Sequence, residues 1–95
     1  MAKITWTKDA VSDLVRLREF LRDKNTKAAH NAVKKIKATI TLLSKQPELG
    51  KPVEDMIDFR DISSPFGRHG YIVRYHYNGD EIFILKIRHM REEGF

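Results

Sequence analysis

Apolar residues recur along this chain with two different periods, and the change from one to the other divides it. Ile4 and Trp6 alternate with Lys3 and Thr5, the period of two that a short strand shows. Thr7-Lys8-Asp9-Ala10 then offers a hydroxyl cap and an acid for a first helical turn. Val11, Leu14, Leu17 and Leu21 come next at helical spacing, which predicts a helix to about Asp23. Asn25-Thr26 breaks the pattern, with Thr26 as the next cap. Ala29, Val33, Ile36, Ile40 and Leu43 then mark one face of a second helix that ends before Pro47. Two helices joined by so short a link pack as an antiparallel hairpin.

Two prolines and a glycine in Gln46 to Val53 read as a loop between this helical half and a second half rich in strand signals. Phe59 to Ile62 reads as a short strand, and from Gly70 to Tyr77 the chain alternates, with Tyr71, Val73, Tyr75 and Tyr77 on one face. Asn78-Gly79 is the strongest hairpin signal in the chain and joins that strand to one running from Glu81 to about His89. Taken as the two central residues of the turn, they place Tyr77 opposite Asp80, Val73 opposite Ile84 and His69 opposite Arg88. The order is β-α-α-β-β-β. It predicts a single α+β domain over 1–95, with an N-terminal helical hairpin packed on one face of a small, mainly antiparallel sheet.

Composition adds constraints on chemistry and partners. Cysteine is absent, so neither disulfides nor thiolate metal ligands contribute. The start MAKITW has no apolar stretch behind its lysine, and no run approaches the roughly 20 residues needed to cross a bilayer, so a cytoplasmic protein with no membrane contact is expected. The net charge of +5 is uneven: residues 1 to 50 carry eleven basic against five acidic residues, and residues 51 to 95 carry seven against eight. Lys34, Lys35 and Lys37 concentrate the excess on the polar side of the second helix, where an acidic partner would be attracted.

The four histidines, His30, His69, His76 and His89, include no pair four residues apart, and no serine lies in a Gly-x-Ser-x-Gly setting. Metal and cofactor are therefore not expected. What stands out is basic: the predicted hairpin register gathers Arg68, His69, Arg88 and His89 at one end of the sheet, beside Arg91. Arg60 and Arg74 lie on neighbouring strands, where each can equally serve as a stem covering apolar surface with its head on Asp58 or Asp61.

With these pieces in order, the chain resembles the RelE/ParE superfamily, the toxins of bacterial type II toxin–antitoxin modules, once filed as plasmid stabilisation proteins. The resemblance rests on Trp6 followed by Ala10, Asp13 and Leu14; on Leu42-Leu43 running to Pro47 and Leu49 to Val53; on Arg60-Asp61-Ile62; on Tyr71 to Tyr75; and on Ile84 to Arg91. It implies a cognate acidic antitoxin as partner and one of two activities. RelE-like members are ribosome-dependent, metal-independent mRNA endoribonucleases, and that reading would make His89, Arg74 and Arg60 catalytic. ParE-like members are DNA gyrase inhibitors and mostly lack that set.

Met90 stands where RelE-like ribonucleases commonly carry an arginine, and Phe95, the nearest aromatic, has no hydroxyl. The resemblance therefore favours a ParE-like gyrase poison rather than an enzyme, with Arg88, Arg91, Arg68 and His69 as target contacts. The ribonuclease is the alternative, and a non-toxic module that only binds an antitoxin is the second.

Overall fold

The computed structural model describes residues 1–95 and contains β1 (Lys3–Trp6), α1 (Lys8–Arg22), α2 (Thr26–Leu42), β2 (Lys51–Pro52), β3 (Phe59–Phe66), β4 (His69–Tyr77) and β5 (Glu81–His89). They form one five-stranded sheet in the order β1-β5-β4-β3-β2, antiparallel except where β1 runs parallel to β5. The α1–α2 hairpin covers one face. Ile36, Ile40 and Leu43 on the α2 side and Ala10 and Leu17 on α1 meet Tyr71, Val73 and Tyr75 of β4 and Ile82, Ile84 and Ile87 of β5. The fold class read from periodicity holds, because both periods are those of burial.

Four local expectations need correction. Thr7 caps α1 as expected, accepting from Ala10 N, but the cap of α2 is Asn25, whose Oδ1 accepts from Ala28 N, and Thr26 is already helical. The proline-rich segment holds a two-residue strand, paired Lys51 to Asp61 and Pro52 to Arg60. The strand expected over Phe59–Ile62 runs on to Phe66, because its backbone pairs with β4 as far as Phe66 opposite His69, and Thr39 Oγ1 of α2 lies 3.0 Å from the hydroxyl of the buried Ser64. Finally, the turn has Gly79 and Asp80, not Asn78 and Gly79, as its two central residues. Gly79 takes φ +93°, Asn78 Oδ1 accepts from the backbone of Asp80 and Glu81, and Asn78 N donates to Glu81 O. A glycine at the first central position suits a primed hairpin turn. Tyr77 therefore faces Ile82 rather than Asp80.

The loop after α2 is pinned to the sheet by one phenol. Tyr75 Oη accepts from Gly50 N at 2.9 Å and donates to Pro47 O at 2.7 Å. Tyr75→Phe leaves the buried Gly50 N–H without its partner and is expected to lower stability by about 1–3 kcal/mol, read as a lower denaturation midpoint at unchanged m-value.

Candidate functional site

Between Arg74 and Tyr75 the β4–β5 ladder slips by one residue: Tyr75 pairs with Ile84 but Arg74 with Lys86. Leu85 is thus the extra residue of a bulge on β5. Its consequence is an exchange of faces. Ile82 and Ile84 point to the helices, and after the bulge so does Ile87. Asp13 of α1 holds the arrangement, its Oδ2 accepting from Ile87 N at 2.9 Å.

The bulge decides where the basic end of β5 points. His89 lies opposite Tyr71 on the helix-covered side, and Arg88 lies opposite Ile72 on the open side. The moved turn and the bulge together correct the expected pairing of His69 with Arg88. His69 is instead beside His89, ring centroids 6.0 Å apart, with Tyr71 edge-on to His89 at 5.4 Å. Arg68 is exposed in the turn between β3 and β4, and Arg91 is exposed just past β5. The histidines and Arg91 therefore gather as the sequence suggests, while Arg88 has turned to the other face.

His89 is a well-defined group. Its Nδ1 accepts from Arg91 N at 3.1 Å, and its own backbone N donates to Glu92 Oε1 at 2.8 Å. Burial, helped by His69 and Arg91 and opposed by Glu92, lowers its pKa below the ordinary imidazole value. Burial alone would raise Glu92, but the His89 N–H and Arg16, whose Nη1 lies 2.9 Å from Oε2, bring it below the carboxylate range. A histidine lowered in the folded state contributes its full stability above about pH 6.5, and that contribution is lost as pH falls through the folded value. An NMR titration should accordingly place the His89 midpoint below that of a free imidazole, with stability declining on the acid side.

Arg60 sits opposite the buried Tyr75, and its Nη1 donates to the carbonyls of Glu48 (3.0 Å) and Gly50 (2.7 Å), fastening the same loop that Tyr75 holds. Arg74 lies on the open face, bidentate on Asp61 at 2.9 and 3.0 Å. Lys34, Lys35 and Lys37 lie on α2, and Lys37 borders a hollow of about 280 Å³ with Ile4, Trp6, Ile40 and Thr41. A larger hollow, about 520 Å³, lies between α1 and the sheet end, where Phe20 and Leu21 face Tyr71, His89 and Arg91. No group of three or more potential ligands is placed to hold a metal.

Sequence reasoning gave no role to Asp13, which it quoted only for the family resemblance, or to Arg16 and Glu92, the three side chains that fix the end of β5. Asp13 did leave a signal: it is an acid on the apolar side of α1, between Ala10, Leu14 and Leu17.

Comparison with known proteins bears on the family and the fold. The family model described as the ParE toxin of the type II toxin–antitoxin system, parDE, matches residues 4–94. Toxin RelE3 of Caulobacter vibrioides is 31% identical over 80 residues, covering 84% of this chain and 85% of the relative. Toxin RelE1 of the same organism is 30% identical over 84 residues, 88% of each chain. A solved structure described as a chromosomal ParDE system from P. aeruginosa superposes with a TM-score of 0.77 at 24% identity, over 94% of this chain and 96% of that one, and shares the fold.

Proposed function

The chain belongs to the ParE toxin family of type II toxin–antitoxin systems, and from that premise we propose that it arrests growth by poisoning DNA gyrase until a cognate acidic antitoxin neutralises it. One observation carries the choice of target. The three residues a ribonuclease would use do not meet: Arg74 is on the open face, while Arg60 and His89 are on the covered one, opposite Tyr75 and Tyr71 respectively. Four residues of strand separate those two partners by about 13 Å along β4, before the width of the sheet is added. A metal-free RNase needs its cations and its proton-transfer group around one phosphate.

A paired assay tests the reading. The purified protein should inhibit gyrase supercoiling and its expression should raise a DNA-damage response. Rapid cleavage of mRNA in the ribosomal A site, with supercoiling untouched, would reverse the assignment. The ribonuclease reading draws its support from His89, whose pKa burial holds below the ordinary imidazole value and whose ring uses only Nδ1 internally. Under that reading His89→Ala lowers cleavage by about 10²- to 10⁴-fold; as a gyrase contact it weakens arrest only gradually. Expression that leaves host cells unharmed would favour the antitoxin-binding module.

For the partner, Lys34, Lys35 and Lys37 support an antitoxin whose acids meet α2 while its apolar residues enter the groove beside the helical hairpin. Charge of this kind acts mainly on association rate. Replacing all three lysines by glutamate should slow antitoxin binding at low salt by about tenfold or more, and an unchanged rate places the antitoxin elsewhere.

A further inference from the structure

Past His89 the chain doubles back. Arg88 Nη1 donates to the carbonyls of His89 (3.2 Å), Met90 (3.3 Å) and Glu92 (2.7 Å), and Gly94 adopts a left-handed φ of +54°. The ring of Phe95 then comes to rest on the open face of the sheet, its centroid 4.5 Å from Arg74 Cζ and 4.9 Å from Arg88 Cζ. Both guanidiniums are held by other groups, Arg74 by the Asp61 carboxylate and Arg88 by the three carbonyls. The ring is the part that can leave, and Phe95 remains 42% exposed where it lies.

We propose that Phe95 is an intramolecular plug: the segment Glu92–Phe95 closes the open sheet face over Arg74 and Arg88, and whatever uses those two cations must first displace the ring. The charges explain why such a plug has a use. Arg74 is neutralised by Asp61, but Arg88 has no carboxylate partner, its Nε is buried without an acceptor, and Lys86 stands opposite Arg74 on the same face. An uncovered face of this kind attracts anions and π-faces without selectivity. The displacing group must offer negative charge or a flat ring to two cations already fixed in place. Each exposed cation–π contact favours closure by a few-fold, so two hold the plug shut about tenfold, enough to bias the face and little enough for a partner to overcome. The proposal does not depend on which target the toxin attacks.

Phenylglyoxal labelling of the folded protein, read by peptide mass spectrometry, tests it, with the exposed Arg68 as internal control. Phe95→Ala should raise the modification rate at Arg74 and Arg88 several-fold and leave Arg68 unchanged, and Phe95→Tyr should behave as the native protein. The Cδ protons of both arginines should also lose their ring-current shifts in Phe95→Ala alone. Equal rates and shifts in all three proteins overturn the plug. In cells, Phe95→Ala should arrest growth at a lower expression level. If it instead weakens arrest while the arginines become reactive, the ring is a target contact and the plug is wrong. A native protein that arrests nothing defeats the toxin reading alone, since labelling still decides whether the face is closed.

Discussion

Deleting Arg91–Phe95 is expected to leave a folded domain that no longer arrests growth. The last fully buried side chain is Ile87, at 1% exposure, and every residue from Arg91 onward is exposed, so the area that stabilises the domain lies before the deletion. What is lost is local. The Glu92 carboxylate ties His89 N to Arg16, and Arg88 loses the Glu92 carbonyl. An exposed ion pair of this kind contributes about 0.2–1 kcal/mol, which in a chain of this size moves the melting temperature by several degrees.

Growth arrest should fall to background because the deletion removes Arg91, a cation beside His69 and His89 that forms no internal ion pair. Arg91→Ala isolates that contribution: arrest is lost with a stability change within about 0.5 kcal/mol. Undiminished arrest by the truncated chain shows that the tail touches no target, and unfolding of Arg91→Ala shows that Arg91 is structural. This outcome is opposite in sign to that of Phe95→Ala, which removes the cover and keeps the contact.

The largest loss of stability is expected from Gly70→Ala, about 3 kcal/mol or more. Gly70 has φ +144°, and a Cβ there would lie 2.5 Å from Ser64 O, 2.9 Å from Phe66 N and 2.9 Å from Pro65 Cα. All three atoms are backbone of the paired strand β3, so no side chain can swing aside. Backbone strain of about 1–3 kcal/mol adds to an overpacking cost of similar size, against a total stability of roughly 5–14 kcal/mol for 95 residues. Gly70 O also accepts from Met90 N at 2.9 Å, so a shifted Gly70 releases the start of the tail as well. Urea denaturation measures the effect, and a loss below about 1 kcal/mol would mean that β3 yields more easily than its register implies.

The parts of this fold that could be read from the chain are those where periodicity and burial are the same thing. Tyr71, Val73 and Tyr75 alternate because they face the helices, and Ile36, Ile40 and Leu43 keep helical spacing because they meet the sheet. The second half of β3 was illegible because Ser63-Ser64-Pro65 has the composition of a loop. It is a strand because it pairs with β4 from Ser63 opposite Ile72 to Phe66 opposite His69, and Thr39, 25 residues away, gives the buried Ser64 hydroxyl a partner.

The candidate site divides the same way. That basic residues gather at the end of β5 could be seen; which face each occupies could not. Asn78-Gly79 and Gly79-Asp80 compete as the turn within one position. The bulge at Leu85 is held by an aspartate 74 residues before Ile87, and one extra residue exchanges the faces of Arg88 and His89. Arg60 and Arg74 have the residue type of catalytic cations, yet each already has internal partners, which only geometry reveals.

The parallel pairing of β1 with β5 joins the first strand of the chain to the last, with Lys3 beside Glu81 and Trp6 beside Ile84. Until β5 has been synthesised, β1 has no neighbour, β4 has a bare edge, and the core lacks Ile82, Ile84 and Ile87. Closing so long a loop is slow and gains nothing until the final contacts form. A chain that ends before β5 thus lacks the strand that joins β1 to β4, and with it Arg88, His89 and Arg91. The order of the strands makes the closed sheet, and the basic residues at its end, wait for the strand that is synthesised after the other four.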